Sequence, residues 1–344
     1  MINCLQIIVL LPLLDTSMPP NAGMFFEELT KIAAFDILEI GEYFDFGEFV
    51  NDLLDLVPSD PINYKFETIG LETLFFINNM GSFYLVILLE VALIPIWLLF
   101  VSFGRRVKFF KKQGKSLGKR LFCNTCITTI FETFMIVALC ALITVKFAFE
   151  MEEAGENVQT LSALATFTIY FSVPVIVSLL LLYRFKSAND PQMLHRVGAF
   201  YSNLNYRSSG RKVLLQPVSF LVRRLHMAWL VIQGSRILWY QISQVMAVTG
   251  FVVLLPYWLN SYKSREERKQ HSESELVILS IASCFLIFNV VSVDSNYIMG
   301  YLAIGIVSAY VGIALILVFI LTIRQVRRKL KTWHAKRAYR KTRT

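Results

Sequence analysis

A chain of 344 residues that is 55% hydrophobic, 14% aromatic and only 17% charged, with a mean hydropathy of +0.54, falls well short of the roughly 25% charge of a soluble domain, which excludes an ordinary soluble globule. The net charge of +9 does not indicate nucleic acid, because the basic residues sit in short clusters beside apolar runs of about twenty residues, the pattern of a membrane topology. Five cysteines (Cys4, Cys123, Cys126, Cys140, Cys284) are too few and too poorly placed for a secreted disulfide framework.

The first apolar run, Ile2 to Leu14, is short for a span. It reads as a signal peptide, a span, or the end of a longer hydrophobic helix. No basic residue precedes Lys31 and no small-x-small site precedes Asp15, so a membrane-inserted helix stopping at Pro19 and Pro20 is the favoured reading. Seven further stretches qualify as spans, at about 82–103 (A), 126–149 (B), 160–183 (C), 214–234 (D), 239–260 (E), 276–293 (F) and 298–323 (G). The predicted fold is all-α, a polytopic helical membrane bundle of seven to eight transmembrane helices. Its parts are a hydrophobic N-terminal helix (1–14), an acidic non-cytoplasmic segment (15–81), a seven-helix domain (82–323) and a basic cytoplasmic tail (324–344).

Positive residues stay on the cytoplasmic side of a membrane. Residues 105–120 hold eight basic and no acidic residues, 184–212 six basic and one acidic, and 324–344 ten basic and no acidic. By contrast, 150–159 holds four acidic residues, and 15–81 holds thirteen against only Lys31 and Lys65. The alternation puts the C-terminus inside and the acidic segment outside; a plasma membrane is expected rather than an organelle. The E to F loop, 261–275, is balanced at four against four and gives no vote.

Within the outer segment, Asp36, Glu39, Glu42, Asp45, Glu48, Asp52 and Asp55 recur every three or four residues, as on one helical face. That face is either a cation-concentrating rim or the solvated side of amphipathic helices on the outer leaflet; the second reading is favoured. Inside the spans, a charge in hydrocarbon is a functional hypothesis by default. Glu90 lies near the middle of span A, five residues before Pro95, and either faces a pathway or hydrogen-bonds a neighbouring helix. Glu90, Glu132 and Asn289 form the candidate cation pathway. Lys146, Arg223 and Arg224 are candidate structural charges, with Lys146 snorkelling outward and Glu132 pairing with Arg223 or Arg224. Adjacent arginines do not repeat as a voltage sensor does.

The lone Cys123-x-x-Cys126 lacks a second pair, the four histidines are scattered, and no nucleophile elbow, Walker loop or dinucleotide fingerprint occurs. Neither an enzyme, a metal site nor a cofactor is expected, and no nucleic-acid partner. In the tail, Ile323, Val326, Leu330 and Trp333 share a helical face among Arg327, Arg328 and Lys329. Such a helix suits anionic lipid at the cytoplasmic face, or a partner protein, and equally serves as a plain stop-transfer tail. Oligomers with like or unlike membrane subunits are a further expectation.

The order of residues resembles TRP-like membrane regions, which end large surface proteins of ciliates and fungi. The resemblance rests on Leu5-Gln6-Ile7-Ile8 through Leu14, Met18-Pro19-Pro20-Asn21, Phe35-Asp36, Gly70-Leu71, Phe76 to Ser82, Phe200-Tyr201 and Pro217 to Arg224. It implies a module of six or more helices distantly related to polycystin and TRP channels, commonly preceded by a Cys-rich ectodomain and another span. One departure stands out: Ser292 to Tyr297 is too short for the re-entrant helix and filter that TRP-type pores place between their last two spans. The readings are therefore a cation channel or transporter subunit, a non-conducting anchor or assembly subunit, and a seven-helix receptor. The receptor lacks Asp-Arg-Tyr after span C, which reads Leu182-Tyr183-Arg184-Phe185.

Overall fold

The computed structural model of the chain describes residues 2–14, 18–33, 49, 52, 64–67, 71, 73–104, 107–119, 126–147, 154–183, 204–205, 210–233, 237–288, 297–316, 319–320, 323 and 327. Among these, the regular structure is helical apart from one isolated antiparallel bridge, Leu204 to Tyr262. The helices are α1 (Ile2–Ile8), α2 (Pro20–Ala33), α3 (Tyr64–Glu67), α4 (Phe76–Asn79), α5 (Gly81–Phe103), α6 (Lys108–Lys119), α7 (Cys126–Phe147), α8 (Ala154–Tyr183), α9 (Leu215–Gln233), α10 (Leu238–Leu259), α11 (Arg265–Phe288) and α12 (Tyr297–Ile316).

Five stretches are long and apolar enough to cross a membrane: Ile127–Phe147, Asn157–Tyr183, Trp239–Leu259, Arg265–Phe288 and Tyr297–Ile316. The predicted seven to eight spans are thus met only in part among the described residues. Helix α5 contributes Val91–Phe103 alone, since the side chains of 85–90 lie outside the described residues. Helix α9 is broken in its apolarity by Arg223 and Arg224. The N-terminal run stays short because Pro12 has no N–H to offer the Ile8 carbonyl and its ring crowds that carbonyl. The chain leaves α1 there as a tight turn, Leu13 N donating to Leu10 O at 3.1 Å and Leu14 N to Leu11 O at 3.1 Å.

Helix α1 and the turn that follows it nonetheless lie at the centre. Leu5, Ile8, Leu11 and Leu14 are each at most 1% exposed and join Phe134, Leu139, Phe285 and Phe288 in one continuous core. A short, interrupted helix is tolerated at membrane depth where protein surrounds it. The outward surfaces are the reverse of a soluble protein's. Leu161 is 68% exposed on α8, Leu254 66% on α10 and Ile298 70% on α12, an apolar belt of the kind that lipid covers.

The helix ends sort into two groups. At one end Ile127, Leu181, Leu204, Val213 and Leu214 form a small second core, and Asn205 N donates to Ser261 O at 2.6 Å. At the other, Asn21 Nδ2 donates to Tyr297 O at 3.1 Å, and α4 packs between α7 and α8. The E to F connection, undecided by charge, therefore shares an end with the connection between spans C and D. That connection is also far shorter than predicted. Helix α10 closes with Asn260 in the left-handed conformation (φ 48°, ψ 47°) and Ser261 N on Pro256 O at 3.2 Å, a Schellman-type stop. Helix α11 then starts at Arg265, eleven residues before the predicted start of span F. Ser264 Oγ accepts from Glu266 N at 3.1 Å and Glu267 N at 3.2 Å, and the two acids face the positive end of the helix.

Candidate functional site

The charged residues of α9 organise the interior. On a helix, adjacent residues diverge by about 100°, so Arg223 and Arg224 address different neighbours. Arg223 points to α11, where its Nη1 bonds Glu275 Oε2, and the two side chains are 6% and 7% exposed. Arg224, at 1% exposure, points to α7 and α1. Its Nη1 donates to the Phe131 carbonyl, its Nη2 to Gln6 Oε1 at 2.6 Å, and its guanidinium stands 4.2 Å from the Phe220 ring centroid. Gln6 completes the tie by donating Nε2 to Glu132 O at 2.9 Å. Four helices are thus joined through two consecutive residues of one.

A polar file continues from this clamp toward the α10–α11 turn. His271 Nδ1 lies 3.9 Å from Glu275 Oε1, and its Nε2 lies 3.4 Å from Gln216 Nε2. Ser261 Oγ donates to Gln216 Oε1 at 3.3 Å. The Tyr262 ring meets the His271 ring at 5.5 Å. Burial pushes the Tyr262 phenol up to about 12, so it remains protonated at neutral pH. Beside the file, Cys4 Sγ donates to Ser274 O at 3.2 Å, and Ser274 Oγ and Tyr310 Oη are 2.8 Å apart, linking α1, α11 and α12. Cys140 and Cys284 are buried free thiols.

At the opposite end the ties that hold α4 are neutral. Gln159, fully buried, accepts from Ile77 N at 2.8 Å and reaches Asn78 Oδ1 at 3.4 Å. Thr144 Oγ1 donates to Leu74 O at 2.7 Å, and Asn79 Nδ2 to Thr73 O at 2.6 Å. These bonds hold α4, with Phe75 and Phe76 buried, in the wedge between α7 and α8.

The expected site residues fare unequally. Arg223 and Arg224 are both buried, and the carboxylate on Arg223 is Glu275 and not Glu132. Glu132 is exposed, contributing its carbonyl to Gln6 and its charge, at a distance, to Arg224. Lys146 keeps an exposed stem, yet its ammonium turns to Ile232 O at 2.8 Å, where a cation satisfies the last carbonyls of α9 and its negative dipole end. Glu90 belongs to α5, but its side chain lies outside the described residues, as do Asn289, Arg328, Lys329, Leu330, Trp333, Cys123 and most of the acidic row from Asp36 to Asp55. Arg327 is described and exposed. Glu275, His271 and Gln6 were missed. The signal for the first two was Ser264-x-x-Glu267, a capping box that starts a helix early and sets Glu275 directly before the apolar run from Leu276.

Compared with protein-family models, with curated proteins and with solved structures, the chain matches none.

Proposed function

We propose that this multi-pass, helical membrane protein is a non-conducting anchor or assembly subunit of a membrane complex, built on a TRP-like plan. The observation that carries the reading is the use made of its intramembrane charges. Arg223, Arg224 and Glu275 are engaged in helix-to-helix ties, and a charge committed to such a tie is a fastener more readily than a step on an ion route. The lipid-facing belts of α8, α10 and α12 offer surfaces on which like or unlike membrane subunits dock through small and apolar side chains. In this reading seven or eight helices cross the plasma membrane, the basic loops and tail face the cytoplasm, and the acidic segment faces outside. The junction of 204–205 with 261–262 supports that alternation.

The competing reading, a TRP-like cation channel or transporter subunit, places Glu90 on the pathway and is favoured by the residue order from Phe76 to Ser82 and Pro217 to Arg224. Purified full-length chain in liposomes separates the two. The anchor reading expects no cation flux from wild type or from Glu90→Gln; flux in the wild type that Glu90→Gln reduces establishes the channel instead.

A further inference from the structure

Helices α5 and α6 make a hairpin whose two arms differ sharply in chemistry. They are joined tightly, Gly104 N bonding Phe100 O at 2.9 Å and Val107 N bonding Phe103 O at 3.0 Å. Helix α6 then runs back along the last two turns of α5. Trp97 Nε1 donates to Gly114 O at 3.1 Å, and the Phe100 and Phe110 rings stack at 5.7 Å. The approach depends on glycine: a Cβ at Gly118 would come within 2.4 Å of Trp97 Nε1, and one at Gly104 within 2.8 Å of Lys111 Cα.

The other face of α6 carries Phe109, 62% exposed, with Lys112 and Gln113 also exposed, while Lys111, whose backbone meets Gly104, extends an exposed side chain from the seam with α5. Lys108, Lys115 and Lys119 belong to the same helix, and no acidic residue occurs from 91 to 131. On α5, Leu98, Leu99, Val101 and Phe103 are exposed as well. Neither plain environment suits this hairpin. Hydrocarbon penalises the ammonium groups, and water penalises the leucines and phenylalanines. The interfacial layer accepts both, and Trp97 is a residue type that gathers there.

We propose that α6 and the last two turns of α5 form an anionic-lipid-binding hairpin in the headgroup layer of the cytoplasmic leaflet. The lysines of α6 meet lipid phosphates and carboxylates, Phe109 and Phe103 lie among the headgroups, and the hydrocarbon begins near Trp97 rather than at Phe103. The proposal rests on the membrane reading and is indifferent to conduction.

The test uses full-length chain in nanodiscs, with Trp229, Trp239, Trp258 and Trp333 replaced by Phe so that Trp97 alone fluoresces. Brominated phosphatidylserine and brominated phosphatidylcholine are compared as quenchers at equal mole fraction. The expected result is several-fold stronger quenching by the serine lipid. Affinity for the serine lipid falls roughly fivefold for each lysine removed in Lys111→Gln and Lys112→Gln, so the excess disappears in the double variant, and it shrinks at high salt. Equal quenching by the two lipids, or none by either, overturns the proposal, the latter result fitting a hairpin that docks a soluble protein. Should the four-fold tryptophan variant misfold, native mass spectrometry on the wild type and on Lys111→Gln/Lys112→Gln counts retained lipid. Preferential retention of phosphatidylserine by the wild type alone is expected, and retention unchanged by the substitutions overturns the proposal.

Discussion

Two junctions of the bundle solve one problem with different chemistry. Where α1, α7, α9 and α11 meet, the ties are ionic: Arg223 on Glu275 and Arg224 on Gln6 and the Phe131 carbonyl. Where α4 wedges between α7 and α8, the ties are amides and a hydroxyl: Gln159 on Ile77, Asn79 on Thr73, Thr144 on Leu74. A buried charge that loses its partner is left with the whole cost of its desolvation, whereas a neutral group loses about one hydrogen bond. The ionic junction is therefore the all-or-none element of the fold, and the neutral junction is a graded one.

The sharpest way to break this contrast is to remove one charge only. Glu275→Leu strands Arg223 and is expected to cost about 3–5 kcal/mol, read as loss of monodisperse protein and a lower thermal midpoint in detergent. The double variant Arg223→Met/Glu275→Leu is expected to recover most of that, because a packed apolar pair is often no worse than a buried ionic one. A single variant as stable as the double would erase the distinction. Next in size, Arg224→Met removes charge-assisted bonds to two helices and is expected to cost about 1.5–3 kcal/mol by the same thermal assay. At the neutral junction, Gln159→Leu leaves the Ile77 N–H unsatisfied and is expected to cost on the order of 1–2 kcal/mol, with faster hydrogen exchange confined to α4. Smallest is Thr144→Val, expected near 0.6 kcal/mol, the average for interhelical hydrogen bonds in a membrane; a loss above 3 kcal/mol there would make the neutral junction as decisive as the ionic one.

Much of this was legible in the sequence. Apolar length located α7, α10 and the start of α12 to within about two residues, with α8 opening six residues before its predicted start, because a membrane span advertises itself through continuous hydrophobicity. The arginines of span D stood out for the same reason, as breaks in such a run. Their partner did not. Glu275 sits in a stretch of four acids and four bases, which balanced composition disguises as a loop, and only the Ser264 cap and the early helix start reveal it as one turn of a buried face. Gln6 was hidden differently. A glutamine in a short apolar run carries no charge signal, and its value comes from a helix 218 residues away in sequence. Lys146 was recognised as a residue reaching for the edge of the span, but its target, the Ile232 carbonyl, depends on where α9 ends in space.

The central position of α1 bears on how the protein is made. Its contacts lie with Glu132, then Arg224, then Ser274, so a ribosome delivers them one after another over most of the translation of the chain. Until α11 emerges, the interior has no wall on that side and Arg223 has no counter-ion. Closure of the bundle around α1 therefore waits for α11, late in the synthesis of the chain.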